Sequence, residues 1–379
     1  AKISDVATAR HAVASGKLDM VGMTRAHIAD PHIVAKIAAG EEHRIRPCVG
    51  ATYCLDRIYE GRDALCIHNA ATSREATTPH AIPRAPAPRR VVVVGAGPGG
   101  LEAARVSGER GHQVTVFEAA GEAGGQLRLL RRAKRRAELG GIVDWRLAEL
   151  DRLGVEIRFN AYAEVEDVVA LSPEVVVIAA GGLPQAPEVA EGGELAVSSW
   201  DVLSGDVKPG ESVLVYDDNG AHPGMAAAEA ALDAGAKLEI VSPERMFAPE
   251  MGGLNLVPYM RKFHAGGAAL TTMTRLASLR RAGNRIEATL VSAYGDHEVG
   301  TRIVDQVVVE HGAAPLADLY FALKPLSANK GRVDYAALRA GRSQPRPAEG
   351  FQLFRIGDAV ASRNVHAAIY DALRFCKDL

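Results

Sequence analysis

Residues 91–100 constrain this chain more than any others. Val91-Val92-Val93-Val94 runs into Gly95-Ala96-Gly97-Pro98-Gly99-Gly100 and then an apolar-faced segment from Leu101 to Arg110. Four β-branched residues in a row predict a parallel strand buried on both faces. The G-x-G-x-x-G that follows predicts a tight turn into a helix whose free N–H groups and dipole favour a phosphate. Gly95 permits the turn and Gly97 lets the backbone approach a pyrophosphate. Pro98 and Gly99 lie in the turn that leads into the helix, and Gly100 allows it to pack closely on the strand. Gly111 ends that helix, Val114 to Phe117 makes the next strand, and Glu118 closes it, 18 residues beyond Gly100. An acidic side chain at that distance is placed for ribose hydroxyls, so the context supports a dinucleotide site over a glycine turn that merely packs.

Other segments extend this reading. Glu122-Ala123-Gly124-Gly125-Gln126-Leu127 is either an ordinary loop or a backbone clasp in which Gly125, Gln126 and Leu127 line an adenylate or flavin. Val175 to Ala180 predicts another buried strand, with Gly181 in the turn after it. Phe354-Arg355-Ile356-Gly357-Asp358-Ala359 leads towards a helix from Val365 to Phe375. There Gly357 gives the turn and Asp358 is placed to hold a ribose or ribityl hydroxyl. A second strand–turn–helix–strand unit runs from Ser212 through the helix Pro223–Ala234 to the strand Lys237–Val241. Its turn reads Y-D-D-N-G-A-H-P-G, with Tyr216 and Asp218 where the first glycines are expected. Carboxylates there repel a pyrophosphate and side chains block its approach, which predicts a degenerate NAD(P)-like module with a structural role.

Length and composition set the outer bounds. A chain of 379 residues suggests two or three domains. Its 44 basic and 46 acidic residues give a net charge of -2, which excludes nucleic-acid binding by global positive charge and a polybasic membrane anchor. No apolar run reaches the roughly 18 residues of a spanning helix, and no signal-peptide pattern opens the sequence. Four cysteines point to a reduced, cytoplasmic setting rather than a disulfide scaffold. Ala7 to Ser15 reads as a helix capped by Gly16, and Leu18 to Met23 as a short buried strand. The opening at Ala1 rather than Met suggests a fragment or processed chain that lacks an N-terminal domain. Cys376 reads as core packing, and His264, His297 and His311 as solvated or core histidines. The basic run Arg128–Arg136 reads as a solvated helix face rather than a dock for an acidic partner.

Taken together, three stretches resemble the C-terminal half of large Old Yellow Enzyme-type flavoproteins. That family includes trimethylamine and histamine dehydrogenases, 2,4-dienoyl-CoA reductase and the dimethylglycine or N-methylproline demethylases, and the last branch is the most similar. Leu18 to Arg25, with Ala29-Asp30-Pro31, resembles the last strand of a (β/α)8 barrel and its phosphate-side turn. Arg46 to Gly50 through Cys66-Ile67-His68-Asn69 resembles an iron–sulfur segment. The third stretch is the fingerprint Gly95–Leu127, completed by Gly357-Asp358-Ala359.

The resemblance implies an α/β fold of two nested three-layer Rossmann-like nucleotide-binding domains, preceded by a barrel remnant. Residues 1–47 would be the remnant of an FMN-binding barrel and 48–89 a cysteine-containing linker. Residues 90–205 and 305–379 would form the FAD- or ADP-binding domain, with 206–304 the inserted NAD(P)-like domain. Arg25 would be an FMN phosphate ligand whose remaining site lies in the absent barrel. Cys48, Cys54 and Cys66 match three of four expected ligands of a 4Fe–4S cluster. Ala51 stands where the second ligand is expected, which leaves His43 or His68 to substitute, or a vestigial site.

The activity implied is oxidative N-demethylation of a small methylated amine, giving an iminium that hydrolyses to formaldehyde. This chain would be the electron-transfer half, passing electrons to an acceptor such as an electron-transfer flavoprotein, and a homo-oligomer is possible within the family. Two alternatives stand beside it: an NAD(P)H-dependent reductase of the 2,4-dienoyl-CoA reductase type, and a nucleotide-binding fragment without turnover.

Overall fold

The structure, a computed structural model, describes residues 3–379. The described residues form 15 strands, numbered β1 to β15 in chain order. The chain divides into two compact units: one runs up to Arg128 and takes in Glu138–Gly182 and Pro315–Leu379, and the other comprises Leu129–Ala137 and Leu183–Ala314. No helix among the described residues is long and apolar enough to cross a membrane.

The first unit is built on a five-stranded sheet in the order β15-β4-β1-β2-β3. Its strands are β1 (Arg90–Val94), β2 (Gln113–Phe117), β3 (Glu156–Arg158), β4 (Val175–Ile178) and β15 (Gln352–Arg355). Every pairing is parallel, and Val91–Val94 lie between Val114–Phe117 on one side and Val175–Ile178 on the other. The valines of β1 and β4 are buried throughout, as a sheet covered on both faces requires. Helix Pro98–Glu109 follows β1, and helix Val365–Cys376 lies so close to it that a Cβ on Gly99 would sit 3.2 Å from the Ala368 carbonyl oxygen. Cys376 is in that packing, and burial pushes its thiol up to about 12.

The second unit carries another parallel sheet in the order β6-β13-β7-β8-β9. Its strands are β6 (Ala196–Ser198), β7 (Ser212–Asp217), β8 (Lys237–Val241), β9 (Ala269–Thr271) and β13 (Gln306–Glu310). An antiparallel meander, β10 (Thr274–Ala282), β11 (Arg285–Ser292) and β12 (Glu298–Val304), belongs to the same unit. Strands β5 (Gly182–Pro184) and β14 (Ala313–Pro315) make a short ladder of their own.

Three expectations are corrected here. The inserted domain is wider than 206–304, because β6 and β13 pair in its sheet and Leu129–Ala137 belong to it. The apolar run Val307–Val309 needed a buried parallel neighbour and found it in β7 rather than in the first sheet. Residues 18–23 form no strand, and Leu18 and Met20 are exposed; a lone strand with no ladder partner leaves its backbone groups to water. The basic run is exposed at Arg131, Arg132 and Lys134, but it is not wholly a solvated face. Arg136 is buried, donating to Asn255 Oδ1 at 2.9 Å and meeting His222, while Arg135 pairs with Glu229. The first helix, Val6–Ala14, is as expected, capped by the Asp5 side chain on Thr8 N–H.

Candidate functional site

The sheet order of the first unit puts a topological switch point between β1 and β4, where open parallel sheets bind ligands beyond their carboxyl ends. The glycines are there for steric reasons the structure makes explicit. Gly95 has φ +101, and a Cβ on it would lie 2.4 Å from the Ala179 carbonyl oxygen. A Cβ on Gly100 would lie 1.8 Å from the Gly95 carbonyl oxygen. The turn therefore folds only with glycine at both places. Gly97 caps helix Pro98–Glu109, so the unpaired N–H groups of its first turn face the crevice.

The second glycine pair closes against the first. Gly124 N–H donates to the Ala96 carbonyl at 2.8 Å, and a Cβ on Gly125 would sit 3.2 Å from Gly97 Cα. Two backbones thus approach without side chains between them. Glu118 directly follows β2 and fixes the same corner: Oε2 accepts from Ala96 N–H at 2.7 Å and Oε1 from Ala120 N–H at 2.8 Å. Each oxygen keeps a lone pair for a ribose hydroxyl. Gln126 Nε2 donates to Asp358 Oδ2 at 2.9 Å, joining two predicted residues 232 positions apart. Burial raises the Asp358 carboxyl, while Arg363 N–H and Gln126 hold it down. Leu127 is buried, Gly181 turns at φ +73 with open space beside it, and Gly357 turns at φ +60.

A second place lies in the same unit. Cys48, Cys54 and Cys66 line one pocket together with Ala51, His68 and Arg25. Arg25 is thus at the cysteines and not with the glycine turn. His43, in the 3-10 turn Glu42–Arg44, does not line this pocket. Burial pushes the Cys54 and Cys66 thiols up, and Cys48 adds to both shifts because adjacent thiolates would repel. His68 N–H reaches Cys66 Sγ at 3.4 Å. Among the described residues no three His, Cys, Asp or Glu side chains converge on a single metal ion. Three thiols around one pocket, with a backbone N–H already on sulfur, suit a polynuclear iron–sulfur group instead.

A buried charge network absent from the sequence reading joins the two places. Glu102, on the helix opened by the glycine turn, accepts from Arg105 at 2.7 Å and from Arg146 at 2.8 Å. Arg146 also donates to the His68 carbonyl at 3.1 Å, and Arg46 stacks 4.3 Å over the Trp145 ring. The flanking guanidiniums hold the Glu102 carboxyl far below its usual range despite full burial. The one signal available was a charged pair at i and i+3 inside an otherwise apolar helix.

In the second unit the turn after β7 is filled by its own side chains. Asp217 is buried, accepts from Gly220 N–H at 2.9 Å, and is pushed up to about 7 by burial, then by Glu310 and Asp218. Glu310 at the end of β13 accepts from Ser199 and from Asn219 Nδ2. His311 Nδ1 meets the Asp218 carboxylate at 2.9 Å, so the histidine is an ion-pair partner.

Comparison with known proteins agrees with this geometry. Residues 93–148 match the family described as NAD(P)-binding Rossmann-like domain. The chain is 57% identical over 382 residues to a probable N-methylproline demethylase of Rhizobium meliloti, covering 100% of this chain and 56% of that protein. Along its whole length the chain is thus similar to part of an N-methylproline demethylase. It is also 47% identical to an N,N-dimethylglycine/sarcosine dehydrogenase of Chromohalobacter salexigens, covering 99% of this chain and 56% of the relative. Histamine dehydrogenase from Rhizobium sp. 4-9 superposes with a TM-score of 0.82 at 25% identity, over 97% of this chain and 53% of that one. The chain therefore spans about half the length of the relatives it matches. As a homologue of flavoprotein oxidoreductases with a Rossmann-like site, it is suited to a flavin-type cofactor.

Proposed function

We propose that this chain is the nucleotide-binding, electron-transferring part of a flavin-dependent oxidoreductase that demethylates a small methylated amine. The observation that carries the reading is the switch-point crevice, where Gly95–Gly100, Glu118, Gly125, Gln126 and Asp358 meet in one unit, in a chain homologous over its full length to demethylating enzymes. FAD, or ADP in its place, would lie with its pyrophosphate on the N-terminus of helix Pro98–Glu109. Its ribose would face Glu118, and the remaining hydroxyls Asp358 and Gln126.

Cys48, Cys54 and Cys66 would hold an iron–sulfur cluster, for which deprotonation of one buried and two half-buried thiols is required. Such a cluster would supply one-electron transfer, and oxidation of the amine would belong to a flavin held by the rest of the whole enzyme. The residues here bind and orient. The Glu102 network holds the fingerprint helix and the cysteine segment at a fixed distance, while Arg46 adds positive charge near Cys66. The small methylated amine, an acceptor flavoprotein, a cytoplasmic setting and self-association belong to the whole enzyme in this proposal.

A second reading, NAD(P)H feeding electrons to the flavin, is favoured by the Rossmann-like match but has to contend with the carboxylates of Asp217 and Asp218 at the second turn and of Glu310 at the end of β13. Denaturing the purified chain and identifying the released nucleotide by chromatography tests the proposal. FAD or ADP sustains it, and FAD makes the crevice a redox centre. NAD(P)H or no nucleotide overturns it.

A further inference from the structure

The segment that presents the cysteines differs from an evenly ligated cluster loop at one point. Cys48, Ala51 and Cys54 follow one another in equal steps of three residues, and all of them line the pocket that Cys66 completes. The backbone is left-handed on both sides of Ala51, at Gly50 with φ +65 and at Thr52 with φ +59. A non-glycine residue held in that region costs on the order of 1 kcal/mol, and such strain persists where a chain is wrapped around a ligand. The middle position of the loop is therefore turned to the pocket, and a methyl group stands there.

The nearby imidazole has one nitrogen engaged by a backbone carbonyl, while its Nε2 is buried without a hydrogen-bond partner. His68 Nδ1 lies 3.0 Å from the Pro47 carbonyl oxygen, and its ring packs edge-on to Trp145 with centroids 5.3 Å apart. Trp145 is not among the pocket residues. The Thr52 hydroxyl is bonded to the Ala51 carbonyl at 2.7 Å and faces Asp56.

Resting on the cluster reading above, we propose that this chain binds its cluster through three thiolates only, leaving one iron, beside Ala51, without a protein ligand and removable. Oxidation then releases that iron: the 4Fe–4S core (charge 2+) gives a 3Fe–4S core (charge 1+), one Fe2+ and one electron, with ferricyanide taking the electron. The remaining three irons stay on Cys48, Cys54 and Cys66. The open iron also has Arg25 at the same pocket, a cation suited to a small anionic ligand there.

The test is anaerobic reconstitution of the full chain with ferrous iron and sulfide, followed by a ferricyanide titration read by iron analysis and EPR. The native sequence is expected to lose about one iron in four and to develop the narrow, nearly isotropic signal of an oxidised three-iron cluster. Ala51→Cys is expected to keep all its iron and to lack that signal. If the native chain keeps its iron as Ala51→Cys does, the proposal fails. Nitrogen hyperfine coupling on the reduced native cluster would overturn it too, by giving the open iron to His68. Cys54→Ser separates the two levels: its iron uptake is expected to collapse, and a native chain that takes up no iron, or a Cys54→Ser chain that takes up as much, overturns the cluster reading itself.

Discussion

The turns after β1 and β7 stand at the same station of two parallel βαβ units, and they solve the same electrostatic problem in opposite ways. Each leads into a 12-residue helix with glycine at its third position, Gly100 in Pro98–Glu109 and Gly224 in His222–Asp233. Beneath Gly100 lies the Gly95 carbonyl oxygen, whereas beneath Gly224 lies the Asp217 carboxylate, 2.6 Å from where a Cβ would be. The neighbouring strand repeats the contrast. β4 is followed by Ala179 and Ala180, while β13 ends in Glu310, which pairs in register with Asp217. A helix N-terminus attracts negative charge. The first turn leaves that charge to come from a ligand's phosphates, and the second supplies it from its own sequence. A nucleotide fingerprint is thus the absence of side chains at a helix start, and one buried aspartate is enough to close it.

The largest expected effect is at Gly100. Gly100→Ala drives a Cβ into backbone that cannot turn aside, so nucleotide co-purification should be lost and stability should fall by about 3 kcal/mol or more. Nucleotide content and a urea melt check both. Gly224→Ala meets a side chain instead and should cost about 1–3 kcal/mol. Combining it with Asp217→Ala should recover part of that loss; a loss as large as that of Gly100→Ala, without recovery, would erase the distinction between the turns.

The Asp217 carboxyl gives a pH signature. Its folded pKa is raised from 3.8 to about 7, so the folded chain binds a proton there that the unfolded chain has lost. Stability should therefore fall as pH rises from about 4 to about 7, and the cost should be fully present above that window. Asp217→Asn removes the titration. Its stability relative to the native chain should improve with pH, by on the order of 2–4 kcal/mol between pH 4 and pH 8. Equal pH dependence of the two in chemical unfolding would mean that Asp217 ionises freely, and that the second turn is not closed by a buried carboxyl.

Much of this was legible in the sequence because it rests on local rules. Strand β8 is Lys237–Val241, as the apolar pattern predicts, and β1, β2 and the helices after β1 and β7 lie within three residues of expectation. Gly95, Gly100 and Glu118 declare themselves because turn geometry forces residue type at fixed spacing. What could not be read is long-range. Val307–Val309 looks the same whichever sheet it joins, and only the partner strand decides the domain boundary. Arg136 read as a surface charge, and Arg146 gave no signal at all, because burial of a guanidinium depends on acceptors distant in sequence: Asn255 for one, Glu102 for the other. The strand expected at 18–23 failed for the complementary reason, since no described strand pairs with it.

The smallest predicted effect probes whether the first turn is as open as the comparison requires. Gln126 and Asp358 are already bonded to each other, and Asp358 also accepts from Arg363 N–H at 3.1 Å. Gln126→Leu removes one hydrogen bond and leaves the carboxylate with the other, so stability should drop by only about 1 kcal/mol. The variant should still retain nucleotide after purification, because phosphate binding at the helix N-terminus does not depend on that side chain. Affinity should weaken by roughly tenfold, the equivalent of about 1.4 kcal/mol, measured by titrating nucleotide back into stripped protein. A variant that holds nucleotide as tightly as the native chain would reduce the Gln126–Asp358 pair to a fold contact. It would leave the glycine turn and Glu118 as the whole of the difference between the two units.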